Sequence, residues 1–244
     1  MLQEYLEIVE NPKYGYGKNL NPCINCRIFM LQKAKELMKK LKCDFIATGE
    51  VLGQRPMSQY KQALINIDKE TKLEGKILRP LSSKFLPETQ AQKKKLIDIT
   101  KFPSIIGRAR NIQIELAKRF NIKFPSPAGG CLLCDKNYSS KLKDIIENKK
   151  LENEKILQEE IQLLSIGRHF RKNGKIILGR NKEENENLEN LGKIIKWNII
   201  IPKTSGPSAI FKNADDKNLA EKLIEAYSSK DLTKREQFNN IKIG

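Results

Sequence analysis

The residues of this 244-residue chain best placed to do chemistry are two pairs of cysteines with the same spacing. Cys23 and Cys26 form one Cys-X-X-Cys pair, and Cys131 and Cys134 form the other. Such pairs hold zinc or iron–sulfur clusters, or take part in thiol–disulfide exchange. Four thiolates can close a tetrahedral zinc site, and three leave one iron of a cluster open for catalysis. The spacing leaves these chemistries open.

The chain is strongly basic, which indicates an anionic partner. It has 46 lysines and arginines against 29 aspartates and glutamates, a net charge of +17. Nucleic acid is the first candidate, and an anionic membrane surface is the alternative. The sequence shows no apolar run of about eighteen residues to span a bilayer, and its first ten residues are acidic and amphipathic. We therefore expect a cytoplasmic protein with no membrane partner, where reducing conditions favour metal or redox roles for the cysteine pairs.

Three short basic segments are candidate RNA contacts. In "GRARN" two arginines precede a predicted helix, where guanidinium groups can grip phosphates. In "GQRPMSQ" an arginine and an amide follow a predicted strand. In "GRHFRKNGKIILGR" several cations surround His169 and Phe170, and on a hairpin they would share one face with a ring that stacks on a base. The predicted RNA-binding residues are Gln54, Arg55, Arg108, Arg110, Arg168, Arg171, Lys172 and Arg180.

The first part of the chain is predicted to alternate helices and strands. One amphipathic helix, at 27–42, would bury Met30, Ala34, Leu37, Met38 and Leu41. Further helices are predicted at 87–102 and 107–121, and strands at 44–48, 63–68 and 76–81. The fifth cysteine, Cys43, is predicted to be a small core residue. This alternation indicates an α/β layer with a largely parallel sheet, whose ligands bind at the carboxyl ends of the strands.

The pattern changes near residue 155. A highly charged stretch at 136–160 is predicted to be a helical connector, and two apolar runs around "NG" at 173–174 predict a β-hairpin. A helix with Asn181 as N-cap and Glu184 in a capping box follows. A strand at 197–202 and a helix at 216–229 complete the pattern. The predicted domains are therefore 1–140 and 161–244, joined by a connector at 141–160.

Five segments of the first part, in order, resemble the ThiI-type PP-loop tRNA thiouridine synthases, which are tRNA sulfurtransferases. They lie between residue 11 and about residue 140: "NPKYGYGKNLNPCINC", "ATGEVLGQRPMSQ", "LRPLSSKFLPET", "GRARNIQIELAKRF" and "SPAGGCLLCD". The resemblance implies a Rossmann-like adenine-nucleotide α-hydrolase fold. It also implies that ATP adenylates a uracil oxygen of tRNA, after which sulfur displaces AMP. Residues 163–210 are similar to the NFACT-R RNA-binding domain, which implies a small α+β domain that binds RNA.

The same resemblance implies roles for the cysteines. Related thiolases use a Cys-X-X-Cys pair and a distant cysteine to hold a cluster or carry sulfur, and these match Cys23, Cys26 and Cys131. Cys23 and Cys131 are the expected catalytic residues, and the three sulfurs are expected to converge in space. Cys134 stands where this family commonly has threonine, so it is a candidate fourth metal ligand, a resolving thiol or a simple substitution. An iron–sulfur cluster is the expected cofactor, with zinc as the alternative.

One motif of that family does not occur in this sequence. It is the SGGxDS turn, whose backbone N–H groups bind the pyrophosphate of ATP. The chain is therefore expected to be the downstream part of a split or truncated gene, with a separate polypeptide supplying the PP-loop, or to lack ATP chemistry of its own. Two functions follow. One is tRNA thiolation, with a sulfur donor protein or sulfide as a further partner. The other is non-enzymatic RNA binding, with a structural zinc held by the cysteine pairs.

Overall fold

A computed structural model describes residues 1–124 and 130–244 of the chain. The chain divides into two units, Gln3–Gly130 and Cys131–Gly244, and each has a core of its own. Part of the "SPAGGCLLCD" segment, residues 126–129, lies outside the described residues. In the two described ranges, no helix is long and apolar enough to cross a membrane.

The described part of the first unit is mainly helical. Its helices and strands, in chain order, are α1 (Leu2–Glu10), α2 (Cys23–Lys40), β1 (Ile46–Ala47), α3 (Lys61–Thr71), β2 (Ile77–Leu78), α4 (Gln90–Lys93) and α5 (Asn111–Arg119). Strands β1 and β2 pair in parallel, with Ile46 opposite Ile77. The core forms where α2 and α3 pack together over these strands.

Helix α2 is confirmed, but it begins earlier than predicted and buries a different face. It starts at Cys23, so both cysteines of the first pair lie in its first turns. Its buried residues are Ile24, Ile28, Leu31 and Met38. Of the predicted face, Met30, Leu37 and Leu41 are more than half exposed. The extra helical turn adds Ile24, which aligns with Ile28 and Leu31 and shifts the most apolar stripe around the helix axis.

Two other predictions for the first unit were wrong in detail. The segment predicted as a strand at 63–68 lies inside helix α3, because Ala63, Leu64 and Ile67 follow helical spacing and are all buried. The helix predicted at 87–102 shortens to α4, which starts after Thr89. Thr89 and Gln92 form a reciprocal capping box there, and this pair of residues marks the start of the helix in the sequence.

The second unit is built on a five-stranded sheet. Its helices and strands are α6 (Lys136–Glu152), α7 (Gln158–Leu163), β3 (Arg168–Arg171), β4 (Lys175–Leu178), α8 (Lys182–Ile194), β5 (Asn198–Ile200), β6 (Ala209–Phe211), α9 (Lys217–Ser228), α10 (Thr233–Glu236) and β7 (Lys242–Ile243). The strand order is β5-β6-β4-β3-β7, and each neighbouring pair is antiparallel. The predicted hairpin is confirmed, with Arg171 opposite Lys175 across its turn.

Helices cover both faces of this sheet. One face, with Phe170 and Ile176, packs against Leu223 of α9. The other face, with Ile177 and Ile210, packs against apolar residues of α7 and α8. Since side chains alternate along a strand, both sets of hairpin residues point into packed layers.

Helices and strands are mixed in both units, and the small antiparallel sheet near the C-terminal end agrees with the predicted α+β domain. Helix α6 was predicted to be a connector, but it belongs to the second unit, where Asp144 contacts the hairpin. In the first unit the described strands are only two residues each. The Rossmann-like PP-loop fold there stays a prediction.

Candidate nucleic-acid interface

A groove of about 650 Å³ runs between the start of α8 and the loop that joins β5 to β6. Three basic side chains line it, Arg168, Arg180 and Lys182, together with the carboxylates of Glu186 and Glu189. The rest of the lining consists of two glycines and of hydroxyl, amide and apolar side chains: Gly179, Asn181, Asn185, Ile201, Pro202, Thr204, Ser205, Gly206, Pro207, Ser208, Tyr227 and Ser228. The groove thus offers cations for phosphate and several donors and acceptors for base edges.

Two side chains of α8 hold the loop over the groove, the amide of Asn185 and the carboxylate of Glu189, which accepts from Ser208 Oγ at 2.6 Å. Asn185 Nδ2 donates to the Gly206 carbonyl at 3.1 Å, and the Ser208 N–H donates to Asn185 Oδ1 at 3.0 Å. Gly179 lies against the same amide: a Cβ at this position would be 2.0 Å from Asn185 Oδ1. Glycine at 179 therefore makes room for the amide that holds the loop.

Glu184 fixes the basic rim of the groove. Its carboxylate accepts from the Gly167 N–H at 3.2 Å, from the Arg180 N–H at 2.9 Å and from Arg180 Nε at 2.8 Å. Burial raises the pKa of Glu184, but the hydrogen bonds from Arg180 outweigh burial and the pKa lies below its usual value. Asn181 caps α8 as predicted, accepting from the Glu184 N–H at 2.9 Å. The predicted capping box is only half formed, since Glu184 turns to Arg180.

Arg168 and Tyr227 form the base of the groove. Arg168 Nη1 donates to the Gly179 carbonyl at 3.2 Å, and its guanidinium lies 5.0 Å from the Tyr227 ring. The guanidinium of Arg235 lies at the same distance from that ring. Burial lowers the pKa of Arg168, but arginine keeps its charge at neutral pH. Two cations thus hold the one aromatic ring that lines the groove.

The other end of the hairpin differs from its prediction. Arg171 Nε and Lys175 Nζ both lie 2.5 Å from carboxylate oxygens of Asp144, and Lys175 is only 2% exposed. His169 and Phe170 are completely buried, so the expectation that Phe170 stacks on a base is wrong. Lys172, in the turn, remains exposed. The predicted basic face therefore separates into a groove end with Arg168 and Arg180, and an end where Arg171 is ion-paired.

His169 is a packing residue in this structure. Its Nε2 lies 2.8 Å from the Ile166 carbonyl oxygen and 3.1 Å from that of Leu163. Burial, together with the charges of Lys175 and Lys141, holds its pKa well below the usual value. The ring is therefore neutral at physiological pH and donates to these carbonyls.

In the first unit the structure brings two predicted RNA-binding segments together. Leu52 pairs with Ile106 in a parallel bridge, and the Gly107 N–H donates to the Leu52 carbonyl at 2.7 Å. Buried Ser82 joins the same segments, because its Oγ accepts from Leu52 N and donates to the Ile105 carbonyl. The loop with Gln54 and Arg55 thus lies beside the loop that leads to Arg108 and Arg110. The two exposed arginines among these, Arg55 and Arg108, have no ion pair within residues 1–124 and 130–244.

The cysteine pairs lie in different units. Cys23 and Cys26 are half-buried at the start of α2. Cys131 and Cys134 are exposed, one just before a short 3₁₀ turn and the other at its last residue. Cys43 is exposed, so its predicted burial is wrong. Among the described residues, no group of three or more histidines, cysteines and acids is arranged to hold a metal ion. The convergence of Cys23, Cys26 and Cys131, their catalytic roles and the metal at these pairs and Cys134 stay predictions.

Comparison with known families identifies a domain that contains the groove. Residues 167–243 match the family model of the NFACT protein RNA binding domain. This segment contains all five strands of the sheet and every residue that lines the groove. Comparisons with curated proteins and with solved structures return no match. The predicted NFACT-R resemblance is confirmed over these residues, while the thiouridine synthase resemblance of the first part stays a prediction.

Several groove residues were not singled out from the sequence. Asn185, Ser208 and Tyr227 position or line the groove, but each is a common residue type in a helix or loop. Two local signals were available: Asn185 follows the N-cap by one helical turn, and "TSGPS" is turn-forming. Only the folded structure shows that these two segments meet.

Proposed function

We propose that this chain binds RNA through the groove of its second unit, and that the RNA is tRNA. One observation carries the proposal: the groove lies wholly within the segment that matches an RNA-binding domain. The basic residues at its rim supply the attraction to phosphate that the net charge of +17 leads one to expect. The choice of tRNA follows from the resemblance of residues 11 to about 140 to tRNA-modifying enzymes.

The lining of the groove favours a strand with accessible bases. Glu186 and Glu189 would repel a continuous phosphate backbone, yet carboxylates accept hydrogen bonds from the amino groups of bases. Arg168 and Arg180 can hold the flanking phosphates. Single-stranded loops and ends of tRNA present bases in this way, because they are not locked in a helix.

The test removes two rim cations and measures binding at several salt concentrations. Arg180→Ala plus Lys182→Ala should weaken tRNA binding and lower the log–log salt slope by about two units, roughly one for each lost phosphate contact. Lys150→Ala plus Lys193→Ala is the matched control, because both lysines are exposed and neither lines the groove. Equal losses in the two variants would show that only net charge matters, and would contradict the proposed groove.

A second candidate function is thiolation of that tRNA. The observation that favours it is the position of the first cysteine pair near the carboxyl ends of β1 and β2. Arg27 Nε, one residue past Cys26, lies 3.0 Å from Glu50 Oε1, and Glu50 also binds Arg79, which directly follows β2. Ligands of parallel sheets bind at such ends. Nucleoside analysis of tRNA from cells with and without the gene tests this function: loss of a thiouridine supports it, and unchanged thiouridine content contradicts it.

A further inference from the structure

The first cysteine pair has the geometry of a disulfide that can open and close. Cys23 is the first residue of α2, and Cys26 follows three residues later in the same helix. Helix geometry separates two such Cα atoms by about 5 Å. Disulfides usually join Cα atoms about 4.4–6.8 Å apart, so the Cα separation suits the bond, and a local adjustment of the first helical turn brings the two Cβ atoms within reach. Both cysteines are partly exposed, which leaves them accessible to a reagent.

A buried amide forms a hydrogen bond with one of the two sulfurs. Asn21 is 5% exposed, and its Nδ2 donates to Cys23 Sγ at 3.1 Å. The other end of the amide is also occupied, since Asn21 Oδ1 accepts from the Asn19 N–H at 3.0 Å. The Gly17 N–H donates to the Asn21 carbonyl at 2.9 Å. These contacts fix the direction in which the amide points.

Glycine at position 17 makes this placement possible. A Cβ there would lie 2.1 Å from Asn21 Nδ2 and 2.7 Å from Met57 Sδ. Any other residue at 17 would therefore push the amide away from the sulfur. The first turn of α2 also carries no acid that would repel negative charge on sulfur.

We propose that Cys23 and Cys26 are a redox-active dithiol, and that Asn21 is a positioning residue that stabilises its reduced form. The co-reactant is a low-molecular-mass disulfide such as glutathione disulfide. The Cys23 sulfur attacks one sulfur of that disulfide, forms a mixed disulfide and releases one thiol. The Cys26 sulfur then attacks the Cys23 sulfur, closes the Cys23–Cys26 bond and releases the second thiol. The two cysteines are oxidised, the small disulfide is reduced to two thiols, and the cysteine protons pass to those thiols.

In the experiment, the full chain is equilibrated with mixtures of reduced and oxidised glutathione. Free thiols are then alkylated, the protein is digested with trypsin, and the peptide masses are measured by mass spectrometry. Cleavage after Lys18 and Arg27 places both cysteines in one peptide, 19–27, apart from Cys43 and the second pair. We expect this peptide to lose two hydrogens and take up no alkyl group under oxidising conditions, and dithiothreitol to reverse the change. In Cys26→Ser, we expect glutathione to remain attached to Cys23.

Asn21→Ala tests the positioning role. Loss of the hydrogen bond to the reduced sulfur should shift the equilibrium roughly fivefold toward the disulfide. Asn25→Ala is the matched control, because this asparagine lies between the two cysteines but its Oδ1 accepts from the Tyr14 N–H. We expect no shift for the control. A simple loss of packing would not make the disulfide more favourable, so the direction of the shift identifies the role.

Three outcomes would overturn the inference. The first is a 19–27 peptide that keeps two alkyl groups even with excess glutathione disulfide. The second is a pair that reacts only after a chelator has removed a bound metal. The third, an unchanged equilibrium in Asn21→Ala, would remove the role of Asn21. None of these outcomes bears on tRNA binding by the groove, so the two proposals succeed or fail separately.

Discussion

Asp144 neutralises two basic side chains of the hairpin. It is largely buried and is the shared partner of Arg171 and Lys175. Burial raises its pKa, but the hydrogen bonds from Arg171 and the charge of Lys175 bring the pKa below its usual value. Removing the carboxylate would leave the buried ammonium group of Lys175 without an opposite charge beside it.

We predict that Asp144→Asn lowers the free energy of unfolding by about 3–5 kcal/mol, because it breaks a buried ion pair from one side. Urea denaturation measures the difference. Glu147→Gln is the control, since its carboxylate is 60% exposed and lies 3.7 Å from Lys143 on the same helix. We expect a change below about 0.5 kcal/mol there. Similar losses in the two variants would contradict a special role for Asp144.

Lys175 predicts a specific dependence of stability on pH. Burial lowers its pKa from 10.5 to about 8, although Asp144 opposes this shift. Between pH 8 and 10.5 the unfolded chain therefore holds more protons at this site than the folded chain, and stability rises with pH. Relative to Lys175→Met, the wild type should gain roughly 2–3 kcal/mol over this range. Urea denaturation of both proteins at a series of pH values checks this, and a constant difference would contradict it.

At the scale of elements, the loop between β5 and β6 depends on α8 for its position. We predict that Asn185→Ala weakens tRNA binding about tenfold, because the loop loses two of the hydrogen bonds that fix it over the groove. Asn187→Ala, on the same helix but exposed, should bind tRNA normally. Filter binding measures affinity, and thermal melting shows whether each variant is folded. A folded Asn185→Ala protein with normal affinity would show that this loop does not form the interface.

Local signals in the sequence identified some elements and missed others for physical reasons. The "NG" turn predicted the hairpin, and Asn181 predicted the start of α8, because both effects are local. Residues 63–68 were read as a strand because a short apolar run fits either structure when only a few positions are compared. The burial of Phe170 and the pairing of Arg171 with Asp144 depend on α9 and α6. No pattern within the hairpin itself contains that information.

At the scale of the whole molecule, each unit carries cations suited to the same anionic partner. We predict that Arg55→Ala plus Arg108→Ala lowers the salt slope of tRNA binding in addition to the loss from Arg180→Ala plus Lys182→Ala. Salt titrations of the three combinations test this. Lys61→Ala plus Lys93→Ala, two exposed lysines of the first unit, is the control. If the two arginine substitutions change the salt slope no more than this control does, only the second unit binds tRNA.

The division of the chain was harder to predict than its elements. Composition placed a domain end at 140 and a connector at 141–160, since residues 136–160 are charged and poor in β-branched residues. The units instead divide between Gly130 and Cys131. Helix α6 has few buried residues, among them Leu142 and Ile145. The charged side chains that attach it to the sheet cannot be told apart, in the sequence, from charges that face solvent.

The contact between α6 and the hairpin decides where this chain can be cut. A recombinant fragment limited to 167–243 would lack Asp144, and Lys175 would sit beneath the sheet without its carboxylate. It would also lack both Lys149 and Glu160, which pair at 3.0 Å in the intact unit. A fragment that begins at residue 131 keeps these partners. Expression of the RNA-binding part for biochemical work should therefore start some thirty-five residues before the recognisable domain.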